Sequence, residues 1–292
     1  MIPPSGLPAA IPDTIRFDLA GPGRGEPWRL FLHVPRGEPP PEGWPVLHIL
    51  DGNAVIGTAV DALRVQSAYP LGTGVHPGVI LAIGYPTEDA YDSVRRSWDM
   101  GPPPGQTYPP HREGGPQVRT GGADDFLAFI EGELAAELAR RVPVNPARRA
   151  IFGHSFGGLF VLHALFRRPH TFARLISASP AIWWERAGIV RHAEAFCAAP
   201  PRDLDARLLL LAGEYEQKLA PFQIGAADAE KRLAAFEESR IVDNSAAMAA
   251  RLSTVPGLTS VYAAIPGETH MSVLPQAINR AIGFAFGTCH AG

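Results

Sequence analysis

Cysteine is nearly absent from this chain. Two occur in 292 residues, Cys197 and Cys289. They lie far apart, match no metal-ligand spacing and require no disulfide framework. An excess of charge of one sign is missing too: 26 basic against 29 acidic residues leave a formal net charge of −3. That balance argues against a nucleic-acid or polyanion partner. No run of about 18 uninterrupted apolar residues appears, so no membrane-spanning helix is expected. The first residues, MIPPSGLP, lack a basic segment followed by an apolar one. The expectation is a cytoplasmic protein as written, or a periplasmic one if a signal peptide has been removed. Internal repeats and a clear domain boundary are also lacking.

What is present is core-forming material. Hydrophobic residues make up 46% of the chain, and the mean hydropathy is +0.01. This suits one globular α/β domain over residues 1–292. Residues 15–19 and 28–34 alternate apolar and polar, as half-buried antiparallel strands do. Continuous apolar runs then recur at 45–50, 78–83, 149–152, 175–178, 207–212 and 261–265. Runs of this kind, separated by helical segments, predict a mostly parallel central sheet with helices on both faces. Helices are expected over 54–68, 123–141, 157–167, 186–197, 228–250 and 275–286. In 123–141 the spacing of Phe126, Ile130, Leu134 and Leu138 places four apolar side chains on one face. Residues 91–122, rich in Pro, Gly and charge, read as an irregular insertion and a candidate binding loop.

The chemistry-bearing motif is Gly153-His154-Ser155-Phe156-Gly157. It matches G-x-S-x-G, with an apolar run before it and a helix-like run after it. The turn from strand to helix is so tight that glycine is needed on both flanks. The serine is pushed out at a sheet end, and the N–H groups of the following helix face whatever charge develops there. Folds that carry this elbow order their groups nucleophile, acid, histidine. His270 follows the last predicted strand in a loop before a helix, the place for a general base. His163 on the elbow helix, His170 at a helix end, His192 and the terminal His290 are weaker candidates. The acid is expected just after the strand at 207–212, where Glu216 is favoured and Glu214 is the alternative. Asp243, Asp228 and Glu268 are more distant candidates, and a Ser-His dyad stays open. For the oxyanion, the backbone N–H of Phe156 is one expected donor. Asn53, in the Asp51-Gly52-Asn53 turn after the strand at 45–50, supplies the other.

At this point the chain resembles the α/β-hydrolase esterases of the esterase-D-like group. Within it, the chain looks most like bacterial esterases that open trilactone catecholate siderophores of the enterobactin and salmochelin kind. The resemblance rests on VLHILDGN (46–53), AIGYP (82–86), Arg95-Arg96 with Asp99, GGADDFLAFI (121–130), GHSFGGLF (153–160), SASPAIWW (177–184), GEYE (213–216) and GETH (267–270). It implies the α/β-hydrolase fold, Ser155 as nucleophile, His270 as base and no metal or organic cofactor, with any iron travelling in the substrate. It also implies that Arg95 and Arg96 meet an anionic, catechol-bearing substrate and that Trp183 and Trp184 form an aromatic wall. Arg112 and Arg119, with Tyr91, Trp98 and Tyr108, lie in the same irregular stretch and suit a large ferric trianion. The expected function is a serine esterase acting on such a siderophore. Two rivals are a carboxylesterase or thioesterase for another small acyl ester, and a non-hydrolytic siderophore-binding or acyltransferase-like protein.

Overall fold

A computed structural model describes residues 9–21, 25–110 and 113–288. Its first strands, β1 (Thr14–Leu19) and β2 (Trp28–His33), form an antiparallel pair. After β3 (Trp44–Leu50) come α1 (Gly52–Ser67), the short α2 (Pro70–Thr73) and β4 (Val79–Gly84). The expected irregular insertion contains α3 (Ser93–Met100) and a two-stranded ribbon of β5 (Thr107–Tyr108) and β6 (Val118–Arg119). Then follow α4 (Ala123–Glu131), α5 (Glu133–Arg141), β7 (Val144–His154), α6 (Phe156–Arg167), β8 (Arg174–Ala178) and α7 (Trp184–Ala198). The chain continues through β9 (Ala206–Gly213), α8 (Ala229–Ser239), α9 (Ile241–Leu252), β10 (Leu258–Ile265) and α10 (Val273–Phe286).

Eight strands make one sheet in the order β1-β2-β4-β3-β7-β8-β9-β10. The pairs β1–β2 and β2–β4 are antiparallel, and every pair from β4 to β10 is parallel. β3 and β4 are buried along their whole length, which explains their unbroken apolar sequence. One face packs against α1 and α10 through Val55, Val60, Ile278 and Ile282. The other packs against α4, α5, α6, α7 and α9 through Phe126, Leu134, Phe160, Ile189 and Leu252. Among the described residues no helix is long and apolar enough to cross a membrane.

Two expected helices are each broken in two. The 123–141 segment turns at Gly132 (φ −94°, ψ −97°), although its apolar spacing continues through the break. The 228–250 segment breaks at Arg240, in the left-handed region at φ 43°. The 91–122 stretch is more ordered than expected because α3 is capped: the Asp92 side chain accepts a hydrogen bond from the Arg95 N–H.

The elbow glycine has no room for a side chain. A Cβ on Gly153 would lie 2.2 Å from the Gly157 carbonyl oxygen, while one on Gly57, inside α1, would meet nothing within 4 Å. Gly153→Ala is therefore expected to lower stability by about 3 kcal/mol. Gly57→Ala should raise it by up to about 1 kcal/mol. Urea unfolding of the two variants beside the wild type checks both signs.

Candidate active site

The carboxyl ends of β3, β7, β8, β9 and β10 converge, and each delivers one part of the site. β7 ends in the elbow, where Ser155 is held at φ 59°, ψ −113°. Its N–H donates to the Ala178 carbonyl (2.9 Å), and its own carbonyl accepts from Ala181 (3.1 Å) and Leu159 (3.0 Å). The strained turn is thus tied to β8 on one side and α6 on the other. Beyond β10, His270 places Nε2 3.1 Å from Ser155 Oγ. Beyond β9, Glu216 places Oε2 2.6 Å from His270 Nδ1. A carboxylate oxygen can only accept, so Nδ1 carries a hydrogen and Nε2 is left to receive the serine proton.

Glu216 is 1% exposed, so its charge must be satisfied internally. Oε1 accepts from the Gly213 N–H (2.6 Å) and from Ser179 Oγ (2.6 Å), and Oε2 serves His270. Ser179, at the end of β8, is itself left-handed at φ 46°. Its contribution was not anticipated from the sequence, although a serine-proline step directly after a buried strand was a signal. The alternative acid, Glu214, points elsewhere: it pairs with Lys218 (2.8 Å) and accepts from the Gly267 N–H (2.9 Å). Asp243 is bound to Gln217 and Arg240, Asp228 to Arg232, and Glu268 to Gln276. His163 is buried against Asp124 (2.9 Å). His290, Cys289 and Arg112 lie outside the described residues.

Both arginines of the expected substrate-binding pair are engaged by protein groups. Arg96 makes a two-pronged pair with buried Asp51, at 2.8 Å from both Nε and Nη2. Burial works against its charge, and Asp51 more than offsets this, so its pKa lies above the ordinary arginine value. Arg95 donates to the carbonyls of Pro27 (2.6 Å) and Glu26 (3.0 Å) and stacks over Trp28. With Trp98 and Arg119 it lines a separate cavity of about 460 Å³ whose lining includes neither Ser155 nor His270. Both guanidiniums brace α3, an amphipathic helix whose partners are too distant in sequence to be anticipated. The Asn53 side chain is likewise structural, bonded to the backbone of Tyr85 and Thr87. Its N–H lies in the first turn of α1, and that of Phe156 opens α6. Such N–H groups have no acceptor within their own helix.

Trp183 lines the cavity above Ser155, which measures about 260 Å³ and is also bounded by Ala181, Phe236, Ile241 and His270. Trp184 is not in that lining. It packs edge-on against Phe156 (centroids 4.6 Å) and beside Tyr108 (4.6 Å), so the aromatic wall reduces to one tryptophan at the cavity with another behind it.

A family model described as "Putative esterase" matches residues 24–244. The ferri-bacillibactin esterase BesA of Bacillus subtilis is 34% identical over 279 residues, covering 94% of this chain and 90% of that protein. The siderophore triacetylfusarinine C esterase of Aspergillus fumigatus is 35% identical over 297 residues, covering 96% and 95%. Among solved structures, the siderophore hydrolase EstB from Aspergillus nidulans superposes with a TM-score of 0.82 at 29% identity, covering 97% of this chain and 98% of that one.

Beside the nucleophile, His154 is buried and donates from Nε2 to the His270 carbonyl (2.8 Å), its ring 4.7 Å from that of His270. Burial first, then the neighbouring His270 and Arg96, push its pKa down from 6.5 to about 3. The folded protein holds this ring neutral while the unfolded chain protonates it below 6.5. Its contribution to stability is thus complete above pH 6.5 and is lost progressively toward pH 3. The urea midpoint should fall over that window, and His154→Asn should flatten the slope while leaving the fall caused by the carboxylates.

Proposed function

Because the chain belongs to the esterase family, we propose that it is a serine esterase that hydrolyses the ester bonds of a siderophore, with a trilactone catecholate as the substrate class. One observation carries the chemistry: a serine, an imidazole and a buried carboxylate joined by hydrogen bonds of 3.1 and 2.6 Å at the ends of three strands. The names of the relatives support a siderophore ester as the substrate, since the two proteins above are siderophore esterases, and the catecholate trilactone rests on the sequence resemblance.

Ser155 Oγ attacks the lactone carbonyl as His270 Nε2 takes its proton. Glu216 holds the ring in the required tautomer and stabilises the imidazolium that forms. The oxyanion is received by the backbone N–H groups of Phe156 and Asn53, where one donor is typically worth about 10²–10³-fold in rate. His270 then returns the proton to the departing alkoxide. It next activates a water molecule that clears the acyl-enzyme. The Asp51–Arg96 pair fixes the turn that leads into α1, and with it the direction of the Asn53 N–H. The proton taken from Ser155 leaves with the departing alcohol and the proton taken from water returns to Ser155 Oγ, so the cycle closes with the enzyme unchanged.

The direct test is incubation with the cyclic trilactone, with and without iron, followed by mass spectrometry of the fragments. Ring opening to linear and shorter fragments is expected. An intact trilactone beside rapid cleavage of unrelated esters would sink the reading. The two glutamates give a second test. Glu216→Gln should lower kcat by about 10²–10⁴-fold, whereas Glu214→Gln should leave it near the wild-type value.

A further inference from the structure

α8 has no core of its own. None of its residues is buried, and five of the eleven residues in its sequence, AEKRLAAFEES, are charged. A helix of this length is marginal in water unless something holds it. It lies between Gly225, at φ 79°, and Arg240, at φ 43°. Phe222 and Ile224, which lead toward it, are 76% and 70% exposed. Segments with so little burial open at small cost in free energy. Yet α8 has a definite position, because Ala235 and Phe236 help to enclose the cavity at Ser155. Phe236 is its only large apolar side chain that is half-buried, while Leu233 stands exposed.

We propose that Phe236 on α8, together with Trp183, makes the catalytic cavity select a substrate arm ending in a neutral aromatic ring. The inference rests on the esterase reading of the site. Size is the first argument. At about 260 Å³ the cavity falls below the roughly 300–1,000 Å³ of pockets that bury a whole drug-sized ligand. It takes one arm of a multi-armed ester and leaves the others outside. Lining chemistry is the second. Ala181, Trp183, Phe236 and Ile241 present apolar and aromatic surface, which favours edge and face contacts with a ring. Charge is the third. The lining contains Glu216 and Glu238 and no arginine or lysine. An arm bearing a carboxylate, or hydroxyls deprotonated by bound metal, would meet the like charge of Glu216 and Glu238 here. A ring with protonated hydroxyls has donors to offer Glu238.

Three methyl esters that differ only in one arm test this: those of N-benzoyl-serine, N-acetyl-serine and N-(4-carboxybenzoyl)-serine. The wild type is expected to prefer the benzoyl ester in kcat/KM over both others by roughly tenfold to a hundredfold, the scale of one lost contact in a specificity pocket. Phe236→Ala should erase the preference over acetyl, and Phe236→Tyr, which keeps the ring, should retain it. Equal losses on benzoyl and acetyl esters in Phe236→Ala, or a wild type indifferent to the three arms, would overturn the proposal. The outcome separates from that of the siderophore reading. An enzyme that shows the preference but spares the trilactone keeps its aryl slot and loses its proposed substrate, and one that opens the trilactone without preference does the reverse.

Discussion

The backbone at Ser155 is the constraint on which the rest of the site depends. A residue at φ 59°, ψ −113° stores strain of order 1–3 kcal/mol, and it persists only where its surroundings leave no alternative. Gly153 gives the turn its clearance. Gly158 gives it contact with β8, since a Cβ there would lie 2.8 Å from the Ala178 carbonyl. The hydrogen bonds from Ser155 to Ala178 and from Ala181 to Ser155 then fasten the elbow to the neighbouring strand. The serine is therefore presented by the end of the sheet itself rather than by a mobile loop.

The same strand ends place charge where catalysis needs it and keep it out elsewhere. Three non-glycine residues, Asp51, Ser155 and Ser179, are left-handed at the ends of β3, β7 and β8, and each turns a polar group toward the site or its support. His48 and His154 are held neutral by burial, with pKa values pushed down to about 3. Asp51 and Arg96 neutralise one another beside the elbow. The imidazole hydrogen-bonded to Ser155 is that of His270, and its carboxylate partner is fixed by two further donors. Preorganised dipoles in such a setting need no rearrangement at the moment of reaction.

Much of this was legible from the sequence, for a physical reason: strands buried on both faces need unbroken apolar runs, and an elbow needs glycine at fixed offsets. The positions of Ser155, His270 and Glu216 followed from those runs because each lies just beyond one. What stayed hidden depended on partners far along the chain. Arg96 was expected to face an anionic substrate, and its pairing with Asp51, 45 residues earlier, left no trace in the sequence pattern. Gly132 and Arg240 broke helices whose apolar spacing ran on past the break. The α8 roof was invisible because a charged helix with a single phenylalanine reads as surface, and only its place over the cavity gives Phe236 a meaning.

Whether the site works as a triad or as a Ser-His dyad turns on what a buried carboxylate costs. An ionised group taken out of water is retained only if its lone pairs are met. Glu216 meets that demand with Gly213, Ser179 and His270, and removal of any one donor would leave the burial uncompensated. If His270 needed no acid, a solvated glutamate such as Glu214 would serve the loop as well and cost nothing. The chain instead spends a strained serine at 179 and a close backbone approach at Gly213, where a Cβ would lie 2.5 Å from the Glu268 carbonyl, to hold a charge in that one place. An arrangement so expensive to maintain favours a carboxylate that acts on the imidazole through every turnover, and so favours the triad.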